Sequence, residues 1–407
     1  MTAASGAAPR PPAVVLFPNS SGMGGMEAHL VQLARGLRER GVPVAAICPP
    51  REDLAPLRDG LAAAGATVHT VGTRDRSPAS VFRRTRSLVE TLRKYPGCVL
   101  HLHYGGYGGG ELVQVAAKLA GVRAVVRSEH VPPIPPITRR GRVLVRIRDR
   151  FLSRVICVSD QNRDEHVSAL GRDGERFVVV HNGVDLDRFS PKVSDAAVAR
   201  EFGFAPDAPI VGTVARLVER RKGIGYFVEM AARVHAVHPG ARFLIVGEGG
   251  LRSELEAQAR GLGLSDVLMF AGPREDIPRL LAAMTIFVMP SLWEGCQYSL
   301  LEAMAMARPV VTTPAGVAPA VVRDGVSGRL VPFEDAGALA GAVNELLLDP
   351  GQAARLGQAG HLAVAARFST DAMVDALVGV YRGALEVGHA RSTGSRPAGD
   401  ARPTLRT

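Results

Sequence analysis

The sequence has little cysteine and few aromatic residues. Its four cysteines, Cys48, Cys98, Cys157 and Cys296, form no CxxC pair and have no histidine at zinc-ligand spacing, so a structural zinc motif is excluded. Isolated cysteines also indicate a reducing compartment. Aromatic residues make up 5% of the chain, and none interleaves with its basic cluster to offer bases a stacking surface. We therefore expect neither a bound metal nor a nucleic-acid partner.

The chain also has no long apolar run. Its longest runs, such as Ala13 to Phe17 and Ile286 to Met289, are far shorter than the roughly 20 residues needed to cross a bilayer. Residues 1–12 lack the basic region and apolar segment of a secretory signal. The sequence predicts a cytoplasmic protein with a disordered N-terminus over residues 1–12 and a disordered tail over residues 388–407.

Short apolar runs alternate with helical patterns along the remaining chain. Val14 to Phe17 predicts a strand, Glu27 to Arg40 a helix and Val42 to Cys48 another strand, and the alternation restarts at Ile210 after a break near Asn182. This pattern predicts an α/β fold of two doubly wound, Rossmann-like domains with parallel sheets facing a ligand cleft. The predicted bounds are 13–185 for the first domain, 186–369 for the second and 370–387 for a helix that returns to the first.

Basic residues outnumber acidic ones, which gives a net charge of +10 and favours an anionic partner. Many of the arginines fall within Arg139 to Arg154, where apolar residues recur at helical spacing. The stretch predicts either a helix that rests on an anionic membrane surface or a packing helix with solvated arginines. The residues concerned are Val143, Leu144, Ile147 and Phe151 on one face and Arg142, Arg146 and Arg150 on another.

The strongest chemical signal is a pair of glutamates, Glu294 and Glu302, after the predicted strand that ends at Met289. If a helix begins near Tyr298, its first amides offer a site for hydroxyl or phosphate oxygens. Glu302 would then accept hydrogen bonds from sugar diols. Two solvated surface carboxylates are the alternative, but Leu300 and other apolar neighbours make an unpaired charge costly there.

Two further clusters suit a diphosphate. Arg216 closes a strand and Lys222 leads into a helix, so both cations can point at an anionic ligand, whereas Arg220 and Arg221 are interpreted as solvated turn residues. A glycine loop after the first strand contains Gly24 and can present amides to phosphate. Neither this loop nor the glycine cluster Gly247 to Gly250 has the GxGxxG spacing of a dinucleotide-binding loop, and the lysine of a Walker motif is missing.

Among the histidines, His101, His103 and His130 lie at predicted strand ends, where parallel sheets bind ligands. We assign a functional role to His130 alone. Asp185 and Asp187 are interpreted as turn residues that make local hydrogen bonds.

Taken together, these motifs resemble the retaining, metal-independent glycosyltransferases of family 4, which have the GT-B fold. The resemblance covers about residues 13 to 386. It rests on the glycine loop Gly22 to Glu27, the linker His181 to Phe189, Arg216 with Lys222, Val246 to Gly249, and the segment from Pro290 to Pro309.

The resemblance implies a role for each motif residue. Glu302 would bind the donor ribose and Glu294 the donor sugar, while Arg216 and Lys222 would neutralise the diphosphate. His130 would lie near the acceptor and, with Arg216, Lys222 and Glu294, completes the expected catalytic set. The remaining donor-binding positions implied are Gly24, Gly25, Gly249, Arg274 in the base pocket, Gly295, Cys296, Gln297, Tyr298, Ser299 and Leu300.

The expected reaction moves a hexose or N-acetylhexosamine from a nucleotide diphosphate sugar to an acceptor hydroxyl, with retention and without a metal. UDP is the favoured nucleotide and GDP-mannose stays open. The acceptor is a lipid-linked glycan, a soluble metabolite or a natural product. The alternative function is a non-catalytic sugar-nucleotide-binding or scaffold protein.

Overall fold

A computed structural model describes residues 11–20, 24–72, 77–105, 109–133, 137–194 and 197–393. Predictions that fall on residues 1–10, on Gly22 and on residues 394–407 lie outside this description. The chain forms two compact units. The first contains the described residues up to Cys157, residues 166–178 and those from Val374 onward, and the second contains residues 158–165 and 179–373.

The first unit is built on a seven-stranded sheet with the order β3-β2-β1-β4-β5-β6-β7. The strands from β3 to β6 in this order pair in parallel, with Val14 opposite Val99 where β1 meets β4. The strands are β1 (Val14–Asn19), β2 (Val44–Cys48), β3 (Thr67–Thr70), β4 (Val99–Tyr104), β5 (Ala124–Glu129), β6 (Arg154–Cys157) and β7 (Phe177–Val179). The helices of this part of the chain are α1 (Gly25–Glu39), α2 (Ala55–Ala63), α3 (Pro78–Leu92), α4 (Glu111–Ala120), α5 (Arg139–Asp149) and α6 (Asp160–Leu170).

The second unit is built on a six-stranded sheet with the order β10-β9-β8-β11-β12-β13. Its strands also pair in parallel, with Ile210 opposite Arg242. The strands are β8 (Ile210–Val214), β9 (Arg242–Val246), β10 (Leu268–Phe270), β11 (Ile286–Met289), β12 (Val310–Thr312) and β13 (Arg329–Leu330). The helices are α7 (Ala197–Glu201), α8 (Ile224–Val237), α9 (Arg252–Gly261), α10 (Ile277–Ala283), α11 (Tyr298–Ala305), α12 (Ala318–Val321), α13 (Ala336–Leu348) and α14 (Pro350–Arg367). The last helix, α15 (Thr370–Thr393), belongs to the first unit from Val374 onward.

Both faces of the second sheet are covered, as its apolar strands predict. Val211 and Phe243 belong to one buried cluster, whereas Ile210, Leu244 and Phe287 belong to another. Because side chains alternate along a strand, these clusters lie on opposite faces of the sheet. Two covered faces are the hallmark of a doubly wound α/β unit, and the predicted fold class is confirmed.

The strand order reverses between β1 and β4 in the first unit and between β8 and β11 in the second. Ligands of doubly wound sheets bind outside the carboxyl ends of the strands at such points. In the second unit, Arg216 lies on the loop after β8 and Glu294 on the loop after β11. The fold therefore brings the two loops with the strongest sequence signals to the same edge of one sheet.

A buried ion network secures the end of β5 in the first unit. The Glu129 carboxylate accepts hydrogen bonds from Arg127 and Arg172, both at 2.8 Å, and Arg172 also pairs with Asp149 at 2.7 Å. Burial alone raises the pKa of Glu129, but the surrounding cations outweigh it and hold the pKa well below its usual range. Removing one member would leave an uncompensated buried charge, so the network fixes the backbone just before His130.

The last helix differs from its prediction. The sequence places the start of a disordered tail at residue 388, but α15 continues to Thr393. Extending an existing helix costs little because each added residue gains a backbone hydrogen bond. On the same helix, Tyr381 Oη lies 2.7 Å from His101 Nδ1 within the first unit. Within the described part of the chain, no helix is both long and apolar enough to cross a membrane.

Candidate active site

Two loops of the second unit meet backbone to backbone. Gly223, with φ of +68°, lies so close to the loop after β11 that a Cβ there would be 1.9 Å from the Pro290 carbonyl oxygen. The Leu292 amide donates to the Arg221 carbonyl at 2.7 Å. Only glycine fits such an approach in this conformation. The contact fixes the turn Arg220–Lys222 beside the segment that carries Glu294.

Glu294 is the centre of a compact ion cluster. Its Oε1 lies 2.6 Å from Lys222 Nζ and accepts from Ser291 Oγ at 3.0 Å, while its Oε2 accepts from Arg221 Nη1 at 3.3 Å. The Glu294 side chain is only 6% exposed, so this carboxylate depends on its partners for stability. The structure thus brings Glu294 and Lys222 together, as expected for two residues of one site.

Arg221 is the member that the sequence missed. It was interpreted as a solvated turn residue, which is wrong: its guanidinium is partly buried and lies 5.0 Å from the Trp293 ring centroid. Trp293 is held in turn by a hydrogen bond from its Nε1 to Glu165 at 2.9 Å. Arg220 does match its interpretation, since it pairs with Glu254 at the surface. The aromatic residue just before Glu294 was the signal that could have distinguished the two arginines.

The segment from Gly295 to Gln297 leads into α11. The side chain of buried Gln297 donates to the Ala315 carbonyl at 2.7 Å and accepts from the Val317 amide at 3.1 Å, so it braces the loop after β12. Burial raises the pKa of the Cys296 thiol to about 12, which keeps it an uncharged space-filling group. The amides at the start of α11, those of Tyr298, Ser299 and Leu300, are the ones that a helix leaves without an intrahelical acceptor.

Glu302 lies one turn further along α11, next to Tyr298. Burial raises the pKa of Glu302 to about 7, and the positive charge of Arg188 opposes this shift only partly. The Tyr298 hydroxyl is buried and has no hydrogen-bond partner among the described residues. A carboxyl group and a hydroxyl group with so little solvation are suited to a polar ligand that completes their hydrogen bonds.

The other predicted donor residues of this unit are placed differently. Arg216 is exposed and makes no hydrogen bond or ion pair within the described ranges. Gly249 has a structural role, because a Cβ there would be 2.3 Å from the Leu217 carbonyl carbon. Arg274 donates to Glu201 and twice to Asp276, and these carboxylates raise its pKa. Its role in a base pocket stays a prediction.

In the first unit, Gly24 caps α1 and Gly25 is its first residue, so their amides lie at a helix N-terminus. His130 directly follows β5, and its Nε2 lies 3.1 Å from His103 Nδ1. Burial lowers the pKa of His130 to about 4, and the nearby Glu129 charge only partly opposes this. His130 is therefore a neutral imidazole at pH 7.

Two local interpretations are confirmed. Asp185 Oδ1 accepts from the amides of Asp187 and Arg188 at 3.0 Å, as in a self-bonded turn. His101 is a structural histidine, because Ser128 satisfies its Nε2 at 2.8 Å and Tyr381 satisfies its Nδ1.

Two sequence profiles of known families match the chain. One, described as Glycosyltransferase Family 4, matches residues 23–188, and another, Glycosyl transferases group 1, matches residues 208–349. A protein of Acidothermus cellulolyticus named D-inositol 3-phosphate glycosyltransferase is 32% identical over 91% of this chain and 88% of its own length. An Escherichia coli protein named UDP-Gal:alpha-D-GlcNAc-diphosphoundecaprenol alpha-1,3-galactosyltransferase is 29% identical over 61% of this chain and 66% of its own length.

Solved structures share the fold. A glycosyltransferase from Rickettsia africae has a TM-score of 0.79 and 18% identity, and covers 92% of this chain and 99% of its own. Anabaena HepE in complex with UDP has a TM-score of 0.77 and 22% identity, and covers 90% and 99%. These structures show that the chain has the GT-B fold. The chain belongs to glycosyltransferase family 4, and the resemblance in its motifs is confirmed.

The raised pKa of Glu302 leads to a prediction about stability without ligand. An unfolded glutamate loses its proton near pH 4.3, so between about pH 4.3 and pH 7 the folded protein holds a proton that the unfolded chain has released. The free energy of unfolding therefore falls as the pH rises through that window, because ionisation of Glu302 disfavours the folded state. We expect Glu302→Gln to raise the Tm near pH 8 and to leave it almost unchanged near pH 4, as measured by thermal unfolding across this range.

Exposed Glu275, replaced by Gln, is the matched control for loss of a carboxylate in the same unit. A Glu302→Gln effect on Tm of equal size at every pH would contradict the prediction.

Proposed function

We propose that this chain transfers a sugar from a UDP-linked donor to an acceptor hydroxyl, with retention of anomeric configuration and no requirement for a metal ion. The observation that carries the proposal is the ion cluster of Lys222, Arg221 and Glu294 beside the first turn of α11. It supplies positive charge and amide donors on one edge of a doubly wound sheet, where a nucleotide diphosphate would be held.

The leaving group sets the main electrostatic demand. Negative charge accumulates on the nucleotide diphosphate as the bond to the sugar breaks, and fixed cations and amides stabilise that charge. Lys222 and Arg221 are held by Glu294 before the donor arrives. A diphosphate competes for the same cations because it carries more negative charge than one carboxylate. Arg216, exposed on the loop after β8, adds a third cation to the proposed site.

The nucleoside would contact Glu302. A ribose diol can donate two hydrogen bonds to this carboxylate, which favours the ionised form despite burial. UDP is preferred to GDP because the Escherichia coli relative is named for a UDP-Gal donor and HepE was crystallised with UDP. The affinities of the protein for UDP and for GDP, measured by titration, show which nucleotide the site prefers.

Retention is proposed to follow front-face attack by the acceptor hydroxyl. Glu294 is engaged by Lys222 and Ser291, which suits a binding role better than that of a covalent nucleophile. His130, as a neutral imidazole, can exchange hydrogen bonds with a sugar or acceptor hydroxyl. The proposed assignments of His130, Gly24 and Gly25 rest on the family resemblance.

Replacement of single site residues tests the transfer reaction. We expect Lys222→Ala to lower kcat/KM by about 100-fold to 1,000-fold, a range typical of losing one transition-state donor. Glu302→Ala removes the acceptor for the ribose hydroxyls, so we expect it to lower kcat/KM mainly by raising KM for the donor. Arg220→Ala is the matched control, since Arg220 lies on the same turn but pairs with Glu254 in solvent. Release of UDP and glycosylated product is measured by mass spectrometry with a panel of donors.

Full turnover in a folded Lys222→Ala or Glu302→Ala variant would contradict the assignment. Tight UDP binding by the wild type with neither transfer nor slow donor hydrolysis would favour the alternative, a non-catalytic sugar-nucleotide-binding protein.

We further propose that the acceptor is a lipid-linked glycan and that α5 contacts an anionic membrane surface. In α5 the buried residues are Val145, Arg148 and Asp149, whereas the apolar residues Val143, Leu144 and Ile147 are exposed. A packing helix would bury its apolar residues, so this arrangement argues against the solvated packing helix. The Escherichia coli relative is named for a diphosphoundecaprenol-linked acceptor.

The exposed apolar surface extends beyond α5 within the first unit. Phe151 follows α5 and packs under Lys118 of α4, with Nζ 5.6 Å from the ring centroid. On α4, Val115 and Leu119 are 52% and 58% exposed. Exposed arginines on α5 interleave with these side chains, and each basic residue near an anionic leaflet contributes about 1 kcal/mol. They are Arg139, Arg140, Arg142 and Arg146.

Vesicle co-sedimentation tests this surface. We expect the protein to bind vesicles that contain phosphatidylglycerol more tightly than neutral ones, and less tightly as salt increases. Leu144→Ser with Ile147→Ser, and separately Arg139→Gln with Arg142→Gln, should each weaken binding several-fold. Leu362→Ser, at an exposed apolar position on α14, is the control. Equal binding by all variants, or no binding by the wild type, would contradict the proposed membrane contact of α5 and favour a soluble acceptor.

A further inference from the structure

Three buried histidines of the first unit converge from three elements. His29 lies on α1, His103 on β4, and His130 directly after β5. One ring nitrogen from each lies within 4.8 Å of the others. The His29 ring centroid is 5.5 Å from that of His103 and 5.0 Å from that of His130. The proposed transfer reaction uses only His130 of the three.

The cluster is incomplete as a hydrogen-bonding network. Neither nitrogen of His29 has a partner among the described residues, and the same holds for Nε2 of His103. A buried polar group without a hydrogen-bond partner destabilises the folded protein. By contrast, both nitrogens of neighbouring His101 are satisfied. The two unsatisfied nitrogens of His29 therefore point to a ligand that accepts a lone pair from this ring.

The electrostatics favour a cation that binds neutral imidazole. Burial lowers the pKa of His29 and of His103 well below the usual range, and the neighbouring histidines lower both further. All three rings are thus neutral at pH 7, and a metal ion need not compete with protons for them. The Glu129 carboxylate is already neutralised by arginines, so the ligand set consists of nitrogen alone.

The geometry fits a small tetrahedral ion. Zinc–nitrogen bonds of 2.0–2.1 Å at tetrahedral angles place two ligand nitrogens about 3.3 Å apart. His103 Nδ1 and His130 Nε2 are 3.1 Å apart. Metal binding would replace their mutual hydrogen bond, and each ring would keep its proton on the opposite nitrogen. Rotation of the His29 ring, which has no hydrogen bond to break, brings in the third ligand.

We propose that His29, His103 and His130 form a binding site for one Zn²⁺ ion, with the fourth position open. This site goes beyond sugar transfer, because the reaction proposed above requires no metal ion. Its binding does not rest on the proposed function. Its consequence does: an ion that takes the His130 imidazole should slow transfer, and a chelator should restore it.

Cobalt substitution tests the site directly. Co²⁺ is titrated into chelator-treated full-length protein and followed by the visible absorption of tetrahedral cobalt, and Zn²⁺ is then used to displace it. We expect one equivalent of cobalt with a tetrahedral spectrum. His29→Gln and His103→Gln should each weaken binding by more than the tenfold to hundredfold typical of losing an outer-shell partner. His238→Gln, in the second unit, is the matched control.

A wild-type protein with no tetrahedral cobalt band would overturn the proposal whatever the folding of the variants. Binding that survives both His29→Gln and His103→Gln would also overturn it, because the metal would then be held elsewhere. Circular dichroism checks that each variant is folded. Transfer activity is assayed separately, so a failure of the sugar-transfer proposal leaves the cobalt result interpretable.

Discussion

The ion pair between partly buried Lys222 and buried Glu294 is the interaction on which the proposed donor site depends. A carboxylate that is 6% exposed needs a partner at hydrogen-bonding distance, and Lys222 Nζ provides it at 2.6 Å. The pair exists only because Gly223 lets its turn approach the Pro290 carbonyl. Gly223 thus allows the two loops to pack closely. Lys222 and Arg221, which lie beside it, are the cations that we propose would bind a diphosphate in place of Glu294.

The first unit also buries a carboxylate, but there arginines that belong to a structural network neutralise its charge. Its buried carboxylate, Glu129, is compensated by Arg127 and Arg172, and this frees the adjacent His130 from any need to be charged. Burial then keeps His130 and its histidine neighbours neutral. Neutral imidazoles suit hydroxyl groups and metal ions, whereas the second unit offers fixed positive charge. The chemistry proposed for each unit follows from this difference.

Much of this organisation could be read from the sequence. The strand Ile286–Met289 has the bounds of its apolar run, because buried parallel strands are continuous in hydrophobicity. The family resemblance implied that Glu294 and Lys222 belong to one site, but the ion pair between them was not predicted. Weak strands were missed: Thr67–Thr70 is polar and partly exposed, and Arg329–Leu330 is too short to leave a pattern.

What the sequence could not predict depends on contacts between distant segments. Arg221 owes its place to Trp293, far along the chain, and His29 gains its neighbours only when α1 packs against two strands. The sequence also could not show that the apolar residues of α5 are exposed, for a different reason. Helical spacing identifies which residues share a face, but only the packed structure shows which face is buried.

The most direct test of the central claim compares the affinities of UDP and UMP by calorimetry, in the wild type and in Lys222→Met. The two nucleotides differ only in the second phosphate, which is the group that the cluster is proposed to hold. The account predicts that the wild type prefers UDP and that Lys222→Met lowers this preference by about tenfold to a hundredfold, the value of one charge-assisted hydrogen bond. An unchanged preference for UDP in a folded Lys222→Met protein would contradict it.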